Sequence, residues 1–237
     1  MFVLIHGAWH GKWCWERTEQ HIRDRGGRSV SVDLPGRAGD TRHLSDLTLE
    51  SYVDVVVAAL EKSPEPAVLV GHSLGGLVIS QTAERVPERI SSLVYLCAML
   101  LKDGESTMDI AATDPDSQLV GNISLNEACT ASSVDPAAVR DLFYGDCTVE
   151  ESENAIRLLV PEPIGPASTP LQVSEDRYGT VPRSYILCAQ DRAISPVRQQ
   201  AMIDSVGVDR VAEVDTSHSP FLSQPDRLAA VLMDLGA

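Results

Sequence analysis

Two periods run along this chain. Short continuous apolar runs of strand length alternate with longer stretches in which apolar residues return every third or fourth position. Phe2–Ile5 is the first run. Residues 13–25 then read as an amphipathic helix closed by Gly26-Gly27. A second strand is predicted over 29–33, broken by Pro35-Gly36, and 37–47 is a polar loop. Thr48 opens a helix to about residue 63, with Thr48 and Ser51 meeting the capping-box pattern only in part. After Pro64 and Pro66 comes the apolar strand 67–70, then a glycine-rich turn, then a helix over 74–86 stopped by Pro87. Further strands are predicted at 90–96, 183–189 and 210–214, and further helices at 196–206 and 225–235. Strands alternate with helices, and most strands are apolar on both faces. This predicts an α/β fold, a doubly wound and mostly parallel six-stranded sheet covered by helices on both sides.

Residues 103–180 break the rhythm, with about three helical patterns and no convincing strand. Asp135-Pro136 reads as an N-cap followed by proline at the first helical position. Thr148 and Glu151 form a capping box for a helix to about residue 160, after which Pro161, Pro163, Pro166 and Pro170 hold the chain extended. The stretch is expected to be a helical cap inserted into a core formed by 1–102 and 181–237.

Composition narrows the function. At 237 residues one sizeable α/β domain suffices. With 34 acidic and 19 basic residues the formal charge is −15. Such a surface repels phosphate backbones and anionic lipid, so neither nucleic acid nor a membrane is expected as a partner. The apolar run at the start ends at His6-Gly7 with no basic segment before it, which argues against a signal peptide. The longest apolar stretch, 93–101, is about half of what crosses a bilayer. Five cysteines, scattered and without Cys-x-x-Cys spacing, suggest reduced thiols in a cytoplasmic protein and give no support for a metal site.

The chemistry centres on Gly71-His72-Ser73-Leu74-Gly75-Gly76, set between the strand 67–70 and the helix 74–86. Gly-x-Ser-x-Gly in a strand–turn–helix setting is the nucleophile elbow of serine hydrolases. A serine hydroxyl needs a base beside it, and the base needs an orienting group. Asp191 stands just past the strand 183–189, and His218 lies in the loop after 210–214. The order Ser73, Asp191, His218 suits nucleophile, orienting acid and base. Asp191 could instead be a turn or helix-cap residue, with Asp103 its rival for the acid; Asp215 stands too close to His218 in sequence to reach the far ring nitrogen. Two N–H donors are needed for the oxyanion. They are expected at Leu74, next after the nucleophile, and at Ala8, in the loop that Gly7 lets turn tightly. His6 is expected to brace that loop. Trp9 is a candidate pocket residue, and His10 either lines the pocket or is structural. Trp13 and Trp15 read as helix packing, and His72 as structural and pointing away from Ser73; His21 and His43 carry no signal.

Taken together, His6-Gly-Ala-Trp-His-Gly-x-Trp-x-Trp, Asp33-Leu-Pro-Gly-x-x-x-Asp40, the elbow, Tyr185-Ile-x-Cys-x-x-Asp191 and Ser217-His218 resemble the α/β-hydrolase superfamily. The resemblance is to its branch of small bacterial esterases, plant methyl salicylate and methyl jasmonate esterases, polyneuridine aldehyde esterase and plant hydroxynitrile lyases. It covers nearly the whole chain and is weakest in 103–180. It implies the α/β-hydrolase fold without its first two antiparallel strands, and the same triad and oxyanion donors. It further implies no cofactor, a site between core and cap, and often a homodimer. The lyases of this branch carry threonine after the first motif histidine and lysine after the catalytic one. Here those positions are Gly7 and Ser219. The expected function is therefore a serine carboxylic-ester hydrolase for small apolar esters, methyl or aryl by resemblance, acting through an acyl-enzyme. The rivals are a C–C lyase or cofactor-free decarboxylase or cyclase on the same scaffold, and a non-catalytic small-molecule binder.

Overall fold

The structure is a computed structural model and describes residues 1–37 and 39–236. In chain order the first elements are β1 (Phe2–Ile5), α1 (Glu16–Asp24), β2 (Ser29–Val32), α2 (Leu49–Glu61), β3 (Ala67–His72), α3 (Gly75–Arg85) and β4 (Ile90–Leu96). The 103–180 stretch holds α4 (Thr107–Ala111), β5 (Ile123–Leu125), β6 (Ala131–Val134), α5 (Pro136–Phe143), α6 (Val149–Ile156), β7 (Glu162–Pro163) and α7 (Ile164–Ser168). The chain closes with β8 (Arg183–Cys188), α8 (Pro196–Val206), β9 (Arg210–Val214), α9 (Pro220–Ser223) and α10 (Pro225–Leu235).

Six strands form one sheet in the order β2-β1-β3-β4-β8-β9, every neighbouring pair parallel. Successive side chains of a strand point to opposite faces. Val3, Ile5 and Leu69 therefore enter one core with Tyr52, Val56 and Leu77, while Phe2, Leu4, Val68 and Val70 enter a second with Trp15, Leu228 and Leu232. Both faces are buried, which is why β3 reads as an unbroken apolar run. The edge strands are the more polar and the more exposed, Ser-Val-Ser-Val in β2 and Arg-Val-Ala-Glu-Val in β9. β1 sits between β2 and β3, so the loops leaving β1 and β3 part in opposite directions and open a crevice at their carboxyl ends. Ala8 and Ser73 stand at that crevice. No helix among the described residues is long and apolar enough to cross a membrane.

The 103–180 stretch departs from the sequence expectation. It has four short helices, and β5, β6 and β7 form a three-stranded antiparallel sheet where no strand was expected. Strands of three, four and two residues are too short to show alternation, and all three carry a serine or a proline. The helix starts are as read: Asp135 accepts the Ala137 N–H, and Thr148 with Glu151 closes a capping box. At Thr48 the box is complete, because the Ser51 hydroxyl substitutes for the usual glutamate. The helix read over 13–25 begins as a tight 3-10 turn, Lys12–Trp15, before α1.

Candidate active site

Ser73 occupies the turn between β3 and α3 with φ +52°, a left-handed conformation that costs a non-glycine residue about 1–3 kcal/mol. The surrounding backbone holds it there. Its N–H donates to Leu96 O (3.2 Å), and its carbonyl accepts from Gly76 (3.0 Å) and Met99 (3.0 Å). Glycine is required beside it: a Cβ on Gly71 would stand 2.5 Å from Gly75 O, and one on Gly76 would meet the Met99 carbonyl oxygen.

Asp191 follows β8 and His218 follows β9, and the structure brings their side chains together. His218 Nδ1 donates to Asp191 Oδ2 at 2.6 Å, both side chains being buried. The carboxylate is held from behind by the N–H groups of Ala193 (2.7 Å) and Ile194 (3.0 Å) on Oδ1. The His218 backbone is fixed as well, since its carbonyl accepts from His72 Nε2 at 2.9 Å and from the Cys97 thiol at 3.5 Å. The imidazole packs against the His72 ring at 4.6 Å and the Phe143 ring at 5.6 Å. Among the described residues the bond to Asp191 is the one side-chain hydrogen bond of this ring; contacts between nucleophile and base commonly tighten only with substrate bound. The rival acid is elsewhere: Asp103 is exposed and accepts the Val173 N–H. Asp215 is exposed too and accepts from Gln190.

The loop after β1 is braced peptide by peptide. His6 Nδ1 donates to Gly7 O (2.8 Å) while its Nε2 accepts the Leu34 N–H (3.0 Å). His10 Nδ1 donates to Ala8 O (2.9 Å) and its Nε2 accepts the Tyr144 hydroxyl (2.8 Å). Burial lowers the pKa of both rings, that of His10 to about 3, so both remain neutral and able to accept. Trp9, at φ +60°, donates its N–H to Glu162 Oε2 (2.9 Å) and its indole N–H to Ser132 O (3.1 Å). Among the described residues the N–H groups of Ala8 and Leu74 have no protein acceptor, and both residues wall the cavity that contains Ser73.

That cavity, about 150 Å³, is roofed by Met108, Leu119, Ile123 and Leu125 from the 103–180 stretch, with Trp9 and Ile194 on its flanks. Its one ionisable side chain is Glu162, whose carboxylate is already taken by Trp9, Arg37 and Tyr52. A larger cleft of about 430 Å³ lies elsewhere and is lined by His10, Trp13 and Arg37. Of the two readings left open for His10 the structure takes the structural one: it does not line the Ser73 cavity but stacks on Trp13 at 5.5 Å, with its two ring nitrogens spent on Ala8 and Tyr144. Trp9 lines the Ser73 cavity. Among the described residues one set of metal-ligand type atoms is close enough to consider, His72, Cys97 and His218, within 4.8 Å of one another. His72 Nε2 and the Cys97 thiol both point at the His218 carbonyl and hold that loop.

A family model for the alpha/beta hydrolase family matches residues 2–231. The chain belongs to this family. Methylesterase 1 of Arabidopsis thaliana is 32% identical over 244 residues, covering 96% of this chain and 92% of the relative. Putative methylesterase 12, chloroplastic, of the same plant is 30% identical over 248 residues, covering 99% and 71%. The crystal structure of a pyrethroid hydrolase from Sphingobium faniae superposes with a TM-score of 0.90 at 27% identity, covering 99% and 96%.

Two residues of this hydrolase's site escaped the sequence reading. Gln199, fully buried on α8, gives its amide N–H to Asp191 Oδ2 (3.3 Å) and Ile194 O (2.8 Å), and accepts the Cys188 N–H (3.1 Å). The signal was available: Gln199, Met202 and Ile203 share the i, i+3, i+4 buried face of α8, and a glutamine there must have partners. Glu162 is the second. Its partners lie 110 to 153 residues away in sequence, and no local pattern marks it.

Proposed function

We propose that this hydrolase is a serine carboxylic-ester hydrolase in which Ser73 is the nucleophile, His218 the base and Asp191 the orienting acid. The observation that carries this is the buried 2.6 Å His218–Asp191 pair beside a serine at a left-handed elbow. Ser73 Oγ adds to the ester carbonyl carbon as its proton passes to His218 Nε2. The carbonyl π electrons move to oxygen, and the N–H groups of Ala8 and Leu74 receive that oxyanion. Collapse expels the alcohol, which takes the proton from His218, and leaves an acyl group on Ser73. Water, deprotonated by the same ring, repeats the addition and releases the acid. Asp191 keeps the proton on Nδ1 so that Nε2 is free to accept, and stabilises the imidazolium. None of these steps calls on a cofactor.

The substrate is a small, neutral, apolar ester. The cavity is smaller than the ~300–1,000 Å³ common for ligand pockets, and its walls offer no cation for a free carboxylate. The names of the relatives, methylesterase and pyrethroid hydrolase, favour methyl or aryl esters. The 103–180 stretch acts as a cap that shapes the acyl and alcohol sites. The lyase reading is disfavoured sterically as well as chemically: a Cβ at Gly7 would stand 2.7 Å from Ser73 Cβ, so the threonine of the lyase pattern does not fit. The scattered thiols favour a cytoplasmic enzyme, and a homodimer is in keeping with the resemblance. Turnover of p-nitrophenyl acetate and butyrate by the parent and by Ser73→Ala tests the reading. Activity that survives Ser73→Ala, or a parent inactive on all short esters, sinks it.

A further inference from the structure

We infer that Glu162, a residue of the 103–180 stretch, is a positioning residue for the reaction: its carboxylate holds the loop that presents the Ala8 N–H to the oxyanion. The inference rests on the serine-hydrolase reading above.

The donor loop is three peptides long, and each has a hydrogen-bond partner. The Gly7–Ala8 peptide, which carries the Ala8 N–H, is fixed through its carbonyl by His6. The next peptide is gripped at both ends, at Ala8 O by His10 and at Trp9 N by Glu162 Oε2. The third is fixed at Trp9 O by the Val160 N–H, 3.0 Å away and two residues before Glu162. Of these anchors Glu162 alone is charged. A charge-assisted bond is shorter and stronger than a neutral one. It acts where a strong restraint is needed, since Trp9 sits at φ +60° and would relax to ordinary backbone if released. Relaxation at Trp9 rotates the peptide that follows the Ala8 donor.

A bare carboxylate near a developing oxyanion would oppose the reaction. Here it is neutralised. Arg37 Nη2 lies 2.5 Å from Oε2, and the Tyr52 hydroxyl donates to Oε1 at 2.8 Å. Burial would lower the Arg37 pKa, but Glu162 and Tyr52 outweigh it, so the guanidinium stays charged; burial and the Glu162 charge raise the Tyr52 pKa, so the phenol stays a donor. Arg37 in turn donates to His10 O at 2.6 Å, the far end of the same loop. Glu162 thus joins four elements, β7, α2, the loop after β2 and the donor loop. The oxyanion donor is in place only when the 103–180 stretch is docked.

Glu162→Gln keeps the shape and leaves its amide oxygen with the Arg37 and Trp9 donors while the amide nitrogen meets the Tyr52 hydroxyl, but the charge is gone, so the bond to Trp9 becomes a neutral one and the guanidinium loses its counter-charge. On p-nitrophenyl butyrate kcat is expected to fall at least tenfold with KM within twofold. The ceiling is the ~10²–10³ loss for a donor removed outright. Affinity for a short alkyl trifluoromethyl ketone, whose hemiketal oxyanion needs the Ala8 donor, is expected to fall by the same factor. A purely structural role would lower Tm and leave both numbers unchanged per folded molecule. A folded Glu162→Gln with parental kcat and ketone affinity overturns the inference. Where Glu162→Gln does not fold, Tyr52→Phe removes only the Oε1 bond. A two- to fivefold fall in kcat at constant KM then supports the inference, and parental kcat overturns it. Parent turnover that Ser73→Ala abolishes upholds the serine reading separately, so a silent Glu162→Gln counts against Glu162 alone.

Discussion

Asp191→Asn replaces a carboxylate by an amide of the same shape, and the structure dictates how the amide must sit. Its oxygen stays with the Ala193 and Ile194 N–H groups, at 2.7 and 3.0 Å, because both are donors. The amide nitrogen therefore takes the place of Oδ2, 2.6 Å from His218 Nδ1. It meets Gln199 Nε2 at 3.3 Å as well, and Gln199 cannot turn over without losing its bonds to Cys188 N and Ile194 O. An N–H facing Nδ1 forces the imidazole proton onto Nε2. That nitrogen then cannot accept from Ser73. The wrong tautomer in a comparable triad lowers kcat about 10⁴-fold, which corresponds to about 5.4 kcal/mol at 1.36 kcal/mol per factor of ten. Loss of the charged acceptor should destabilise the fold by only about 1–3 kcal/mol. The assay is kcat/KM on p-nitrophenyl acetate, paired with urea unfolding of the same preparation. A folded variant that loses less than tenfold would refute the reasoning, since among the described residues no other carboxylate bonds this ring.

Further outcomes follow from the same geometry. Gln199→Leu keeps bulk but releases Asp191 Oδ2 and leaves the Cys188 N–H and Ile194 carbonyl without their partner; kcat should fall about tenfold with KM unchanged, read by initial rates, at a stability cost of about 1–3 kcal/mol. Gly71→Ala places a methyl 2.5 Å from Gly75 O, so the elbow must open; at about 1–3 kcal/mol or more for overpacking, Tm should drop by at least ~2 °C in a thermal melt. Acid sensitivity comes from the buried histidines. His10 is pushed down to about 3 from 6.5 by burial, and His6 and His72 are lowered for the same first reason. As pH falls below 6.5 the unfolded chain takes up these protons before the folded one does. Their contribution to stability is whole above pH 6.5 and falls as pH drops below it, that of His10 being lost toward pH 3. One proton corresponds to about 1.4 kcal/mol per pH unit. Urea titrations should show the parent losing about that much more between pH 6 and 5 than His10→Asn does; equal losses would contradict the assignment.

The sheet was legible because its central strands, β1 and β3 above all, are buried on both faces and so appear as unbroken apolar runs. The elbow was legible for a related reason: Gly71, Gly75 and Gly76 are needed where backbone meets backbone, and that need leaves a mark in a few adjacent letters. Asp191 and His218 could be placed because chemistry in such sheets sits just past strand ends. The small sheet of β5, β6 and β7 was hidden, since two to four residues cannot display a period. Arg37 falls in the stretch read as polar loop, and Glu162 between Pro161 and Pro163 in the stretch read as extended chain. Their burial depends on each other and on Tyr52, a pairing across 125 and 110 residues that leaves no local trace. His10 was ambiguous because an aromatic cluster near a catalytic loop reads the same whether it braces the loop or faces the substrate.

The central claim is that Ser73 is an activated nucleophile. Its most direct test is intact-mass analysis after a fluorophosphonate, run beside p-nitrophenyl acetate turnover on the same samples. The account predicts one adduct per chain, mapped to the peptide that contains Ser73, with adduct and turnover both abolished in Ser73→Ala. A Ser73→Ala variant that still turns over ester, or a folded parent that neither labels nor turns over, would contradict it.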